Sequence, residues 1–101
     1  ITYEVNDRLA TITLNRPEVF NALSAELLSE IRQAVEAAAA DESVRVIVMT
    51  GSGDKAFCSG ADLKEGIMLG DTSLAVRLRE YYNPMIRAMR NAEKPIVCRM
   101  N

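Results

Sequence analysis

At 101 residues the chain is long enough for one domain and too short for two. Hydrophobic residues make up 49% and charged residues 26%, the composition of an ordinary globular protein with a packed core, which excludes a disordered or fibrous segment. Twelve basic against fourteen acidic residues leave a net charge of -2, with no electrostatic footprint for a nucleic-acid backbone or an anionic membrane, so neither is expected as a partner.

Ile1 to Val5 and Leu9 to Leu14 alternate apolar with polar residues across the turn residues Asn6-Asp7-Arg8, and this pattern predicts a β-hairpin. Asn15-Arg16-Pro17-Glu18 breaks it, because Pro17 fixes its own φ and biases Arg16 toward an extended backbone. Ser24 suits the N-cap of a helix continuing through Ala40, with Leu27, Leu28, Ile31, Val35 and Ala38 forming one apolar stripe. Val44 to Thr50 is β-branched and nearly continuously apolar, which predicts a strand buried on both faces of a parallel sheet and closed by Gly51-Ser52-Gly53. The strand, helix and strand together imply a right-handed crossover.

Thr72 or Ser73 is expected to start a further helix with the stripe Leu74, Leu78, Tyr81 or Tyr82, Met85 and Met89. Pro84 interrupts it, and Asn83-Pro84 as an N-cap and N1 pair predicts two abutting helices. Pro95 opens a last strand, Ile96 to Met100. The order is β-β-α-β-loop-α-β within residues 1–101, with no internal repeat or linker. A parallel strand usually feeds a covering helix or loop, so the pattern reads as an α/β domain truncated after its fourth predicted strand.

Residue inventory narrows the chemistry. The chain has no histidine, which excludes within it a Ser-His or Cys-His nucleophile and a His-ligated metal, and no metal site is expected. Cys58 and Cys98 lack a CxxC spacing and fit a reducing, cytoplasmic setting. The apolar run Val46 to Met49 is far below the roughly 20 residues that span a bilayer, and the start has no basic region followed by an apolar core; no membrane span or signal peptide is expected.

The most informative segment is Ala56-Phe57-Cys58-Ser59-Gly60-Ala61-Asp62-Leu63-Lys64-Glu65. Its Ser-Gly-Ala centre has little side-chain bulk, so a ligand can approach the main chain, and Leu63-Lys64-Glu65 reads as the start of a helical turn whose N-H groups favour negative charge. That arrangement suits an oxyanion hole. On pattern alone the same residues are better described as a tight turn with Asp62 as a helix cap.

The segment resembles the signature loop of the crotonase (enoyl-CoA hydratase/isomerase) family. Leu14-Asn15-Arg16-Pro17-Glu18-Val19-Phe20-Asn21-Ala22-Leu23 is similar to that family's N-terminal motif, and Glu93-Lys94-Pro95-Ile96-Val97 through Asn101 to its lead-in to a second oxyanion loop. The resemblance implies the N-terminal portion of a crotonase-like ββα-repeat spiral fold. It implies an acyl-CoA thioester as substrate, with coenzyme A part of that substrate and no separate cofactor, and an enolate held by two backbone N-H groups. Carried over, Ala61 supplies the first of these N-H groups. Ala22, Gly60, Ala61, Asp62, Leu63 and Lys64 line the groove for the coenzyme A arm, mostly through the main chain, which leaves Asp62 room for a structural role. The second oxyanion glycine and the acid/base carboxylates are expected beyond Asn101, so these residues alone are expected to be inactive. A trimer or pair of trimers is also implied.

The subfamily stays open. Ser-Gly-Ala-Asp-Leu-Lys-Glu is similar to enoyl-CoA hydratases, and Tyr82-Asn83-Pro84 with Met85-Ile86-Arg87 to the ring-opening isomerases of phenylacetate degradation. A non-catalytic acyl-CoA-binding module and a nucleotide-binding α/β domain are the other readings. Gly51-Ser52-Gly53-Asp54-Lys55 lacks the Gly-Lys-Ser/Thr ending of a phosphate loop and reads as a strand-exit turn. Cys58 is expected to be a small packed residue, the methionines and Tyr81-Tyr82 core or subunit interface, and Arg77, Arg79, Arg87 and Arg90 the polar face of their helices.

Overall fold

The computed structural model describes residues 1–68 and 74–101. Strands β1 (Thr2–Asn6) and β2 (Leu9–Leu14) form the antiparallel hairpin, Asn6 opposite Leu9. Asp7 and Arg8 alone turn the chain, both with positive φ (50° and 66°), as a tight hairpin matched to strand twist requires. A 3-10 turn at Pro17–Val19 leads into helix α1 (Ala25–Ala40), and strand β3 (Val46–Gly51) follows. Strand β4 (Ile96–Arg99) completes a sheet in the order β1-β2-β3-β4. The β2-β3 and β3-β4 pairs are parallel, and α1 carries the crossover between β2 and β3.

The core follows from strand alternation. Ala10, Ile12 and Leu14 of β2 and Ile47 and Met49 of β3 point to one face, where Leu27, Leu28, Ile31, Val35 and Ala38 of α1 close over them. Ser24 caps α1, its hydroxyl oxygen accepting from Leu27 N at 3.1 Å. The opposite face is more open than expected for β3. Val46 and Val48 are half-buried and Val97 on β4 is 50% exposed, because no element among the described residues packs over them.

After β3 come α2 (Leu63–Met68), α3 (Leu74–Arg77), a π-helical turn (Leu78–Tyr82) and α4 (Asn83–Asn91). The expected helix start at Thr72 or Ser73 lies outside the described residues. Asn83 is not the expected N-cap: it is helical (φ -63°, ψ -42°), and its N-H bonds to the Leu78 carbonyl five residues back. Proline supplies no N-H and its ring collides with the carbonyl four residues earlier. The wider π-turn immediately before Pro84 accommodates this without breaking the helix. Met85 is buried, and Tyr81, Tyr82 and Met89 pack against the core, as expected of that stripe, but its first two members do not: Leu74 and Leu78 are exposed. No helix among the described residues is long and apolar enough to cross a membrane.

Candidate active site

Asn21 organises the entry to the site. Phe20 and Asn21 both adopt left-handed conformations (φ 56° and 55°), a kink that turns the Asn21 side chain fully inward. Its Oδ1 accepts from Arg16 N at 2.8 Å, and its Nδ2 donates to the carbonyls of Ser52 (3.1 Å) and Ala56 (3.0 Å). A buried amide that places every polar atom adds order without an unpaired group. Asn101 reaches the same turn from β4, its Nδ2 donating to the carbonyls of Gly53 (2.8 Å) and Ala56 (2.9 Å). Gly51 sits between the two amides, which is why no side chain fits there.

The loop fixed in this way runs alongside the chain after Asn21. Ser59 N donates to Phe20 O at 3.0 Å, Leu23 N to Gly60 O at 2.7 Å, and Asp62 N to Leu23 O at 3.0 Å, an isolated parallel bridge between Leu23 and Ala61. The bridge uses groups on either side of Ala61. In an extended segment the intervening N-H points the other way. There, among the described residues, the Ala61 N-H meets no acceptor. Gly60 has φ +103°, and a Cβ placed on it would meet nothing within 4 Å, so the main chain beside Ala61 is open to an incoming group.

Asp62 has two structural duties. Its Oδ1 accepts from Glu65 N at 3.1 Å, capping α2, and its Oδ2 pairs with Arg16 Nη2 at 3.0 Å. The Glu65 N-H first, and then the Arg16 guanidinium, hold its carboxyl below the usual carboxylate range. Arg16 Nη1 donates to the Ala22 carbonyl at 2.6 Å, so one side chain ties both halves of the predicted groove. The structure therefore brings Ala22, Gly60, Ala61 and Asp62 together. Leu63 (78% exposed) and Lys64 project to solvent from the first turn of α2. With six residues, α2 contributes little field of its own, and the unpaired N-H is the feature that carries the site.

The sequence profile of the enoyl-CoA hydratase/isomerase family matches residues 4–101. The chain belongs to that family. A Rhodobacter capsulatus protein, provisionally named an enoyl-CoA hydratase, is 44% identical over the whole chain, which covers 38% of that protein. The 1,2-epoxyphenylacetyl-CoA isomerase of Escherichia coli is 30% identical, with 39% of it covered. A solved structure from Mycobacterium abscessus, provisionally named an enoyl-CoA hydratase/isomerase, superposes with a TM-score of 0.89 at 39% identity, over 99% of this chain and 40% of that one. The chain thus spans about two fifths of the length of these relatives. Its fold is the N-terminal part of the crotonase-like fold.

Seen as a crotonase, the chain has several residues that periodicity and composition passed over. Arg16 and Asn21 stood in the first motif only as matching letters, and Glu65 as the last letter of the signature. In the structure Glu65 Oε1 accepts from Ala25 N at 2.8 Å, the first N-H of α1, and from Arg77 Nη2 at 2.8 Å. Arg77 is therefore not on a polar helix face as expected. It is buried, because the Glu65 carboxylate gives its charge a partner inside the protein. Cys58 is half-buried and lines an apolar cavity of about 220 Å³ with Leu23, Phe57, Met85, Met89 and Cys98. This agrees with a packing role for Cys58.

Proposed function

We propose that the full-length protein is an enoyl-CoA hydratase in which the Ala61 N-H holds the thioester oxygen of an acyl-CoA as its enolate forms. The observation that carries this reading is the Ala61 N-H itself: oriented by the bridge to Leu23, without an acceptor among the described residues, and reached past an unobstructed Gly60. A preorganised donor of this kind supplies roughly 3 to 4 kcal/mol of transition-state stabilisation. Ala22, Gly60, Ala61, Asp62, Leu63 and Lys64 line the coenzyme A groove of one domain to which residues 1–101 contribute the N-terminal part, and no separate cofactor takes part. The acid/base groups come from elsewhere in the full-length protein, since the two carboxylates nearest Ala61 in sequence are engaged, Asp62 by Arg16 and Glu65 by Ala25 N and Arg77. Hydration stands ahead of isomerisation because the hydratase-named relative is 44% identical and the isomerase 30%.

The unpaired thiols Cys58 and Cys98 fit a cytoplasmic enzyme. Exposed Leu74, Leu78 and Ile86 on one helical run support a trimer or pair of trimers, which sedimentation of the full-length protein tests. The deciding experiment is Ala61→Pro in the full-length enzyme, assayed by hydration of crotonyl-CoA. Removing the N-H is expected to lower kcat about a hundredfold or more. Full activity in that variant overturns the assignment.

A further inference from the structure

Ser24 caps α1 through Leu27 N, which leaves the N-H of Ala25, the first residue of the helix, without a partner in its own turn. Its acceptor comes from 40 positions along the chain: Glu65 Oε1, at 2.8 Å. Glu65 thereby sets a carboxylate on the positive end of a 16-residue helix whose Leu27, Leu28 and Ile31 are fixed in the core. Arg77 Nη2 bonds the same oxygen at 2.8 Å and holds the carboxylate from its other side. The segment 61–65 is thus attached to 22–25 at both of its ends. At the first end, Leu23 exchanges main-chain bonds with Gly60 and Asp62, and Arg16 ties Asp62 to Ala22. These bonds all act around Leu23, so they set the spacing of the two segments and leave a tilt about that point free. The second attachment, Glu65 to Ala25, removes the tilt. Asp62 Oδ1 carries the constraint back toward Ala61, because it accepts from Glu65 N at 3.1 Å.

We infer that Glu65 is a positioning residue for the reaction: its carboxylate oxygen, by holding Ala25, fixes the direction in which the Ala61 N-H points. This rests on the enolate-holding role proposed for that N-H. Direction is what makes such a donor effective, since a hydrogen bond weakens steeply as its angle closes and a donor already in place needs no reorganisation as charge develops. The role needs an acceptor oxygen and not a negative charge. The charge serves a separate end, balancing the buried guanidinium of Arg77. Oxygen and charge can therefore be removed separately.

The test measures crotonyl-CoA hydration and urea unfolding of two variants of the full-length protein. Glu65→Gln keeps an oxygen for Ala25 N and gives up the charge. It is expected to have a lower urea midpoint and a kcat within about threefold of wild type. The double variant Glu65→Leu with Arg77→Met exchanges the ion pair for apolar side chains, which is expected to hold the midpoint close to wild type. Its kcat is expected to fall about tenfold or more, with KM changed less than about threefold. A merely structural pair would make kcat follow the midpoint in both variants, and that result overturns the inference. Equal loss of kcat in the two variants, wild-type kcat in the double variant, or a change confined to KM overturns it as well. Absence of turnover in the wild type, or full activity in Ala61→Pro, overturns instead the functional reading beneath it, because no enolate-holding N-H is then left to position.

Discussion

The Arg16 guanidinium joins segments 46 positions apart, donating from Nη2 to Asp62 Oδ2 at 3.0 Å while Nη1 donates to the Ala22 carbonyl at 2.6 Å. A fork of two fixed donors is something lysine cannot reproduce, having a single point of charge on a flexible stem. Arg16→Lys is therefore expected to loosen Ala22 against Asp62 and to shift the Ala61 N-H between them. Misplacement by a fraction of an ångström weakens transition-state contacts most. The expected outcome is a fall of about tenfold or more in kcat with a smaller change in KM, read from steady-state kinetics of the full-length enzyme. A change confined to KM would show that Arg16 serves only coenzyme A binding.

Asp62 gives a pH dependence with a definite sign. Its carboxyl is held below the usual range by Glu65 N-H and Arg16, so it contributes stability that is fully present above the unfolded-state value, about 3.9, and is lost as pH falls through the folded-state value. Asp62→Asn cannot ionise and lacks this contribution throughout. The variant is expected to be less stable than the wild type at pH 7, with the gap narrowing once the pH drops below about 4. Urea midpoints of both proteins at pH 7 and pH 3 check this; a gap that stays constant would remove Asp62 from the acid response.

Much of this arrangement was legible because it rests on local rules. Ser24 capping, the stripe from Leu27 to Ala38 and the strand ending at Gly51 follow from periodicity and turn chemistry, and the structure reproduces them within two residues. The misreadings have a common origin in tertiary partners. Arg77 reads as a surface arginine until Glu65 is brought beside it, and Asn83-Pro84 reads as a helix start until a π-turn makes room for the proline ring. Small residues at Ser59-Gly60-Ala61 suggest only an open main chain and the family resemblance singles out the Ala61 N-H, whose orientation comes from a bridge to Leu23 that no local pattern encodes.

Gly51 is expected to tolerate no side chain. A Cβ there would lie 2.7 Å from the Phe57 carbonyl oxygen and 2.9 Å from each of the Asn21 and Asn101 amides. The carbonyl belongs to the backbone and cannot swing aside, while moving either amide breaks the bonds that hold the 52–56 turn. Gly51→Ala is expected to cost about 1 to 3 kcal/mol, measured by chemical denaturation, and to lower activity through the displaced loop. A variant of wild-type stability would mean that the turn relaxes more freely than its two amide clamps suggest.

Lys94 holds the far end of α1. The last carbonyls of a helix lack internal partners and carry the negative end of its dipole. Lys94 Nζ donates to Ala38 O at 2.8 Å and to Asp41 O at 2.7 Å, placing a cation on that end just before β4 begins. Lys94→Met keeps the aliphatic stem and removes both bonds, so the loss reports the charge and not the packing. The expected destabilisation is about 1 to 2 kcal/mol, seen as a lower urea midpoint with unchanged slope. Because the contact lies at the end of α1 remote from Ser24, and Ser24 adjoins the Leu23–Ala61 bridge, kcat for crotonyl-CoA is expected to change less than twofold. A large fall in kcat with little change in stability would instead place Lys94 in the catalytic machinery and break the separation between the α1 anchor and the site.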